Sequence, residues 1–353
     1  MAIKKKAHQF YNRTMCWYRK AWKPKPLFPV PLPTRVLYFF RGFSANEYIW
    51  YDLKHHDYRD YISEYERVLS RNINGEYKLI LDDKLLFEEM FGKYVKVPEI
   101  MAWVKDGLIY GLHGNDIDNS NVVSAIRSRK DAVVKWEVGY EGKGTYIVHT
   151  LEDGTFDING KRCGEDELVE VCKKNQSAII CEYMHQSAFE DGLFDGSTNT
   201  LRIVCAKKKG EREARIIRAV QRIGTRESMP VDNVSAGALA AHIDLETGEL
   251  SSAMQAKSHD QNAILKTYDC HPDTGRQIRG LCIPGWDSIK RQITQLTNRF
   301  PYLNFVAWDV LLTEEGMCLI EGNASAGLMM FQVSKGVRND DIGDIYRSYG
   351  IIK

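Results

Sequence analysis

Three oxygen-bearing side chains near the C-terminal end of the chain have the spacing of ligands for a divalent metal ion. Asp309 lies within one apolar strand, and Glu321 and Asn323 lie at the end of the next. A three-residue turn over residues 314–316 would place all three on one face, with Asp309 directly opposite Glu321. Opposed carboxylates repel each other unless a cation lies between them, and oxygen ligands of this kind suit Mg²⁺. The sequence therefore predicts a magnesium site, with two carboxylates at a solvated sheet end as the alternative.

A lysine followed by a glycine-rich turn is suited to binding a polyphosphate. Lys135 lies in the β-branched run 132–138, where an ammonium group is costly unless it finds a partner or water. The segment 139–145 (GYEGKGT) comes next and leads into a second strand. A glycine-rich hairpin of this kind can fold its backbone N–H groups over phosphates. The alternative is an ordinary surface hairpin with a lysine at the sheet edge.

Two further features could contact a nucleotide or a substrate. The run 178–184 (AIICEYM) predicts a strand that ends in Glu182, and such a strand could offer backbone groups to an adenine edge, although a buried sheet strand is the default. Arg202 and Arg222 lie in apolar strands, where a guanidinium group needs an anion. A phosphate, a substrate carboxylate or an internal salt bridge would each satisfy them.

The elements that must position these residues alternate between helix and strand. Apolar and aromatic residues recur at helical spacing through residues 45–92, and Asp82 or Asp83 can cap a helix over 84–91. Short strands begin at Val95, and a polar loop over 111–121 precedes a new helix and strand. This interleaving predicts an α+β or mixed α/β class.

Charge is distributed unevenly along the 353 residues, although the net charge is only +1. The first 46 residues hold ten basic residues and no acidic one, so the remainder is acidic. An acidic body argues against a general nucleic-acid binder, although the basic leader alone could meet phosphates. A hydrophobic content of 44% excludes global disorder, and no run of about 18 uncharged apolar residues predicts a spanning helix.

The leader itself predicts a surface arm. Residues 4–23 can form a helix rich in Trp, Tyr, Lys and Arg, and five prolines between 24 and 33 then favour an extended linker. Such a helix can lie in a membrane interface, so we expect peripheral contact with the inner face of a membrane through residues 1–25. The alternatives are an arm packed on the body and a subunit contact. Eight scattered cysteines without a CxxC pair, and the lack of a signal peptide, predict a cytoplasmic protein.

Taken in order, these features resemble the ATP-grasp superfamily. The residues within the motifs are most similar to its sugar-transfer associated branch. The resemblance covers roughly residues 75–335. The matching stretches are Leu81–Lys84, Ser197–Arg202, Arg222–Gly224 with Val231–Asn233 and Gly237, Ile243–Asp244 with Thr247–Gly248, His271–Gly275, Ile283–Trp286, and Trp308–Asp309 with Glu321–Asn323.

The resemblance implies an α+β ATP-grasp fold in which two lobes clasp a nucleotide behind a smaller, mostly helical N-terminal region. It divides the chain into an arm and linker (1–34), an N-terminal domain (35–120) and an ATP-grasp domain (121–353). The last splits into a lid lobe (121–185) and a metal and substrate lobe (186–353). The implied roles are phosphate binding by Lys135, a phosphate-covering loop at Gly142, Lys143, Gly144 and Thr145, an adenine hinge at Cys181, Glu182, Tyr183 and Met184, and magnesium binding by Asp309, Glu321 and Asn323.

The function that this resemblance implies is an ATP- and Mg²⁺-dependent carboxylate–amine ligase working through an acylphosphate. Lys135, Arg202 and Arg222 would supply cations to the transferring phosphoryl group. The substrates would be small or glycan-linked carboxylates and amines of a surface polysaccharide or related glycoconjugate pathway, with no nucleic acid. The sequence does not show which of Arg202, Arg222 and His271 contacts substrate. A kinase on the same fold and a non-catalytic nucleotide-binding scaffold remain alternatives.

Overall fold

A computed structural model of the protein describes residue 15 and residues 17–139, 144–174, 176–256 and 265–353. Gly142 and Lys143 of the predicted phosphate-covering loop lie outside the described residues. The described chain forms two antiparallel sheets with helices packed on them and a helical N-terminal region. This confirms the α+β class that the sequence predicts.

Helices and strands interleave along the chain. The helices are α1 (Leu32–Phe40), α2 (Ala45–Trp50), α3 (Glu64–Ser70), α4 (Leu79–Asp82), α5 (Lys84–Phe91), α6 (Val122–Arg129), α7 (Glu165–Lys173), α8 (Ala188–Leu193), α9 (Trp286–Arg299), α10 (Met329–Gln332) and α11 (Asp341–Ser348). The strands are β1 (Ile100–Lys105), β2 (Leu108–Gly111), β3 (Asp131–Trp136), β4 (Tyr146–Thr150), β5 (Phe156–Ile158), β6 (Lys161–Cys163), β7 (Ser177–Glu182), β8 (Thr200–Ala206), β9 (Arg215–Ile223), β10 (Leu239–Ile243), β11 (Leu250–Gln255), β12 (Lys266–Tyr268), β13 (Phe305–Thr313) and β14 (Gly316–Asn323).

The first sheet has the order β2-β1-β7-β3-β4-β5-β6. Alternate residues of its strands, such as Ala132 and Val134, are buried under α6 and α7 in one apolar cluster. The other face, which carries Val133 and Lys135, points to the second sheet. Because β1 and β2 extend this sheet, the predicted division at residues 120 and 121 falls within one structural layer and does not separate two.

The second sheet has the order β12-β11-β10-β9-β8-β13-β14 and is covered on both faces. Helices α5 and α9 pack against the face that carries Ile203 and Trp308. Helices α10 and α11 pack against the face that carries Val204 and Ala307. On that second face one half is apolar and the other half is polar, and the polar half, which carries Arg202, Asp309 and Glu321, faces the first sheet across a cavity.

The N-terminal helices are part of the lobe that holds the second sheet. Ile62 and Ile73 join the apolar cluster under α10 and α11, and Phe87 and Phe91 pack against Trp308 on the opposite face. Asp83 caps α5, because its Oδ1 accepts from the backbone N–H groups of Leu85 and Leu86 at 3.0 and 3.1 Å. The capping prediction is therefore confirmed at Asp83.

The arm differs from its prediction at one point. A short π-helical turn, Tyr18–Trp22, is described at the end of the predicted helix 4–23, most of which lies outside the described residues. Helix α1 begins at Leu32 and contains Pro33, so the predicted extended linker ends two residues too late. Proline is tolerated there because backbone N–H groups in the first turn of a helix have no acceptor within the helix, and because the fixed φ of proline is compatible with helical geometry.

None of the helices in the described ranges is both long and apolar enough to cross a lipid bilayer.

Candidate functional site

A cavity of about 1060 Å³ lies between the two sheets and reaches the N-terminal helices and arm. Its walls bring together most of the residues singled out from the sequence, which are Lys135, Thr145, Cys181, Glu182, Tyr183, Met184, Arg202, Arg222, Asp309, Glu321 and Asn323. These residues come from both sheets and from the segment between them, so one cleft collects features that are nearly 190 positions apart in the chain. Gly144 lies beside this cavity, at the base of the glycine-rich hairpin.

The three predicted metal ligands share one face of the hairpin formed by β13 and β14. Asp309 pairs directly with Glu321, and Ala307 pairs with Asn323. The predicted three-residue turn is wrong, because Thr313 pairs with Gly316 across a two-residue turn. A bulge between positions 309 and 310 inserts one extra residue into β14 and returns the register to the predicted one.

Asp309 is held by two arginines. It is 2% exposed, and its Oδ1 and Oδ2 accept from Nε and Nη2 of Arg202 at 2.6 and 2.7 Å. Arg222 donates from Nη2 to the same Oδ2 at 3.2 Å. Burial disfavours the charged carboxylate, but the two guanidinium groups outweigh it and hold the pKa of Asp309 below its usual value. The same contact raises the pKa of Arg202 despite the opposing effect of burial.

A second layer of contacts orients Arg222. Its Nη2 lies 3.1 Å from Oδ1 of Asp232, and its Nε donates to Oγ1 of Thr200 at 3.0 Å. Thr200 in turn donates to the other oxygen of Asp232 at 2.6 Å. Burial raises the pKa of Asp232, although Arg222 opposes the shift. The internal salt bridge, one of the alternatives that the sequence allowed for both arginines, is thus present in the cavity wall.

The donor set fits a hard divalent cation in its chemistry. Glu321 contacts Asp309, and Nδ2 of Asn323 lies 3.3 Å from Oε1 of Glu321, so Oδ1 of Asn323 is the atom that would face a cation. A carboxylate offers about four acceptor positions, and the arginines occupy three of those on Asp309. The described part of the chain has no cluster of three or more His, Cys, Asp and Glu side chains suited to a metal. Water and phosphate oxygens would have to complete the coordination.

Lys135 faces the same cavity from the opposite sheet. It alternates along β3 with the buried Val134 and pairs with Ile179 of β7, so its side chain lies on the cavity face. Lys84, at the start of α5, lines the cavity as well. Burial lowers the pKa of Lys84, and Lys135 lowers it further while Glu321 opposes the shift. The ammonium groups of Lys84 and Lys135 carry more positive charge than the carboxylate of Glu321 can balance, which favours an anionic ligand between them.

The predicted adenine hinge connects the two sheets. Strand β7 ends at Glu182, and the segment from Tyr183 to Ser187 leads without regular structure into α8. Glu182 accepts from Nζ of Lys96 at 3.0 Å, and its backbone N–H donates to the carbonyl of Glu99 at 2.9 Å. Burial raises the pKa of Cys181, so its thiol is uncharged and acts as an apolar wall.

Two glycines make room for Trp136 at the base of the glycine-rich hairpin. A Cβ atom on Gly144 would lie 2.3 Å from Nε1 of Trp136, and Gly144 also has a φ of +70°. A Cβ atom on Gly139 would lie 3.1 Å from Cβ of the same tryptophan. The hairpin therefore needs these glycines for packing and backbone conformation, in addition to any contact with phosphate.

Sequence reasoning missed several residues of the cavity. It also left open a substrate contact for His271, which lies outside the cavity. Lys84 lies in the first turn of α5, where a cation opposes the helix dipole, and that unfavourable position was the available signal. Glu47 and Arg67 come from helices α2 and α3, respectively, which had no assigned role. His271 is buried, and its Nε2 bonds the carbonyl of Gly224 at 2.7 Å, so it positions a loop and does not face the cavity.

Comparisons with known proteins match the chain to one family. A family model described as sugar-transfer associated ATP-grasp matches residues 64–341. No curated protein matches the sequence.

Similar solved structures are distant in sequence. They include D-alanyl-alanine synthetase A from Vibrio cholerae, at 11% identity over 69% of this chain and 55% of that chain, with a TM-score of 0.37. N5-carboxyaminoimidazole synthetase from Staphylococcus aureus is 9% identical over 70% of this chain and 44% of that chain, with a TM-score of 0.36. D-alanine–D-alanine ligase from Helicobacter pylori is 10% identical over 76% and 60%, with a TM-score of 0.41. This chain thus spans 44–60% of the length of these three proteins.

Proposed function

The chain belongs to the sugar-transfer associated ATP-grasp family, and we propose that it is an ATP- and Mg²⁺-dependent ligase that joins a carboxylate to an amine. The observation that supports this most is the shared cavity. It places the Lys135 ammonium on one wall and the oxygen donors Asp309, Glu321 and Asn323 on the facing wall. A cation-binding group opposite a phosphate-binding group is what a site for a metal–nucleotide complex requires.

ATP would supply the phosphoryl group and Mg²⁺ would neutralise charge on it. The substrate carboxylate would attack the γ-phosphorus, and ADP would leave. The amine would then attack the carbonyl carbon of the acylphosphate, so that the C–N bond forms, inorganic phosphate leaves and the amine nitrogen gives up a proton. Lys135 and Lys84 would bind phosphate oxygens, and Glu321 and Asn323 would hold the cation. In this scheme Arg202 acts by orienting Asp309, and Arg222 is the arginine with side-chain atoms nearer to the open cavity, since it is the less buried of the two.

The substrates would occupy the part of the cavity that the N-terminal helical region lines. Glu47, Arg67 and Arg71 of that region line the cavity, together with Ser325. Arg67 donates to Oγ of Ser325 at 2.9 Å, so α3 is joined directly to the loop that follows the metal-binding strand. A mixture of guanidinium and carboxyl groups suits substrates that carry both charges. The glycan pathway remains an inference from the family description.

The first experiment measures ADP release from the purified full chain against a panel of amino acids and uronic acids, with Mg²⁺ present. We expect at least one carboxylate to stimulate release, and Glu321→Gln to lower the stimulated part at the same Mg²⁺ concentration. Leu108→Ser, on the outer edge of the first sheet, is the matched control and should retain full turnover. Nucleotide turnover that no carboxylate stimulates would contradict the proposal.

Hydroxylamine distinguishes a ligase from a kinase on the same fold. A ligase forms an acylphosphate, which hydroxylamine converts to a hydroxamate of the carboxylate substrate. A kinase would give a phosphorylated hydroxyl and no hydroxamate. If Glu321→Gln leaves the cellular role intact, the protein acts as a scaffold and the catalytic proposal is wrong.

A further inference from the structure

Helix α1 presents an apolar face to the outside of the molecule. Leu32, Pro33, Val36, Leu37 and Phe40 are all exposed, with Phe40 at 82% and Leu32 at 63%. At 100° per residue these five positions fall within one sector of about 140°. An outward helix face on a protein surface normally carries polar residues. This face has none, so it is built to contact something other than water.

The inner face of α1 is fixed to the body and to the arm. Tyr38 is buried and donates from its hydroxyl to the carbonyl of Leu53 at 2.8 Å. Phe39 stacks on Trp17 with 5.6 Å between ring centroids and meets Trp22 edge-on at 5.5 Å. Arg35 donates to the carbonyl of Trp22 and lies over its ring at 4.5 Å. The helix is therefore held with its apolar face outward by contacts on its opposite side.

The charged residues of the arm and of α1 are all basic. The first 46 residues contain no acidic residue, and Arg19, Lys23, Lys25 and Arg41 are exposed among those that the structure describes. A positively charged rim around an apolar patch complements an anionic surface with an apolar interior. A second copy of the chain would bring two positive rims together, which electrostatic repulsion opposes.

We propose that α1 and the basic arm form a docking surface for an anionic lipid bilayer. Phe40, Leu37, Val36 and Leu32 would enter the boundary between headgroups and acyl chains, and the exposed lysines and arginines would contact the anionic headgroups. The sequence suggested membrane contact through residues 1–25, and this proposal assigns the inserted part to α1. This inference is independent of the reaction that the cavity performs.

Vesicle co-sedimentation of the full chain tests the surface. We expect the protein to bind vesicles containing phosphatidylglycerol about tenfold more tightly than pure phosphatidylcholine vesicles, and to bind less at high salt. The double variant Leu37→Ser/Phe40→Ser should lose about tenfold in affinity for the anionic vesicles. Lys23→Glu/Lys25→Glu should lower binding to anionic vesicles and leave binding to neutral ones unchanged.

Leu108→Ser is the matched control, since Leu108 is a similarly exposed side chain (53%) on a distant sheet edge. It should bind vesicles as the wild type does, and the unfolding midpoints of all variants should agree. Absence of wild-type binding to anionic vesicles, or an equal loss in Leu108→Ser, would overturn the proposal. So would a wild-type dimer in sedimentation velocity that Leu37→Ser/Phe40→Ser converts to a monomer without any vesicle binding.

Discussion

Replacing Asp309 by asparagine should lower the free energy of unfolding, whether or not Asp309 binds a metal ion. Asp309 and Arg202 are paired directly across strands β13 and β8, and their side chains are 3% and 10% exposed. Asparagine removes the negative charge and keeps one acceptor oxygen. The Arg202 guanidinium would then be buried with one hydrogen bond from this position in place of two.

The size of the effect follows from these contacts. Removing one partner from a buried ion pair costs about 3–5 kcal/mol, because the remaining charge is buried without compensation. Arg222 keeps its contacts with Thr200 and Asp232, so its loss of Asp309 adds little. We therefore expect Asp309→Asn to lower the free energy of unfolding by about 3 kcal/mol.

Urea unfolding followed by tryptophan fluorescence measures this effect. Arg202→Met should be destabilised as well, whereas Arg202→Met/Asp309→Leu should recover most of the loss, since an apolar pair can replace a buried ion pair. The matched control is Asp340→Asn. Asp340 pairs with Arg218 at a partly exposed site and caps α11 through an oxygen that asparagine retains, so its cost should stay below about 1 kcal/mol.

Two results would refute this reasoning. The first is a free energy of unfolding for Asp309→Asn within about 1 kcal/mol of the wild-type value. The second is a double variant that is no more stable than Asp309→Asn. In either case Arg202 would not depend on Asp309. Loss of activity in Asp309→Asn could then be attributed to the metal site alone.

The remaining predictions test the cavity, the hairpin and one buried acid. Glu321→Gln should leave the free energy of unfolding within about 0.5 kcal/mol and raise the Mg²⁺ requirement of ADP release; an unchanged Mg²⁺ titration would contradict it. Lys135→Met should weaken binding of a non-hydrolysable ATP analogue about tenfold in calorimetry without moving the nucleotide-free unfolding midpoint. Gly144→Ala should cost about 1 kcal/mol more than Gly160→Ala in thermal unfolding, because both have positive φ but only position 144 meets Trp136; equal losses would refute this. Burial, and then Asp232, raise the pKa of Glu190 well above its ordinary value. The folded state then keeps a proton that the unfolded state releases, so wild-type stability should fall as pH rises above about 4.5, and Glu190→Gln should flatten this dependence.

The sequence predicts which side chains share the site more accurately than it predicts the turns and strand register that bring them together. Alternation along two apolar strands, with an assumed turn, predicts that Asp309, Glu321 and Asn323 share one face, and the structure has them on one face. The turn that was meant to set their register is one residue shorter, and a bulge compensates for it. Turn length and bulges depend on how the whole sheet twists, which local spacing does not encode.

The partners of the buried charges were beyond sequence reasoning. Arg202 was expected to need an anion, but its distance of 107 positions from Asp309 gave no indication that the carboxylate predicted to bind metal would supply it. Strands β1 and β2 were likewise assigned to a separate N-terminal domain. Strand β1 pairs with β7 and β2 pairs with β1, because the edge of a sheet offers unpaired N–H and C=O groups to another strand. Long-range pairing of this kind is settled by packing and not by periodicity.

The arm links the two proposals physically. Ala21 and Pro24 line the cavity, while Trp22, between them, packs on Phe39 of α1. A bilayer under α1 would therefore lie beside the arm residues that line the cavity. A carboxylate or amine carried on a lipid could enter the cavity from there. The two experiments fail separately, since vesicle binding needs no nucleotide and ADP release with free substrates needs no vesicle.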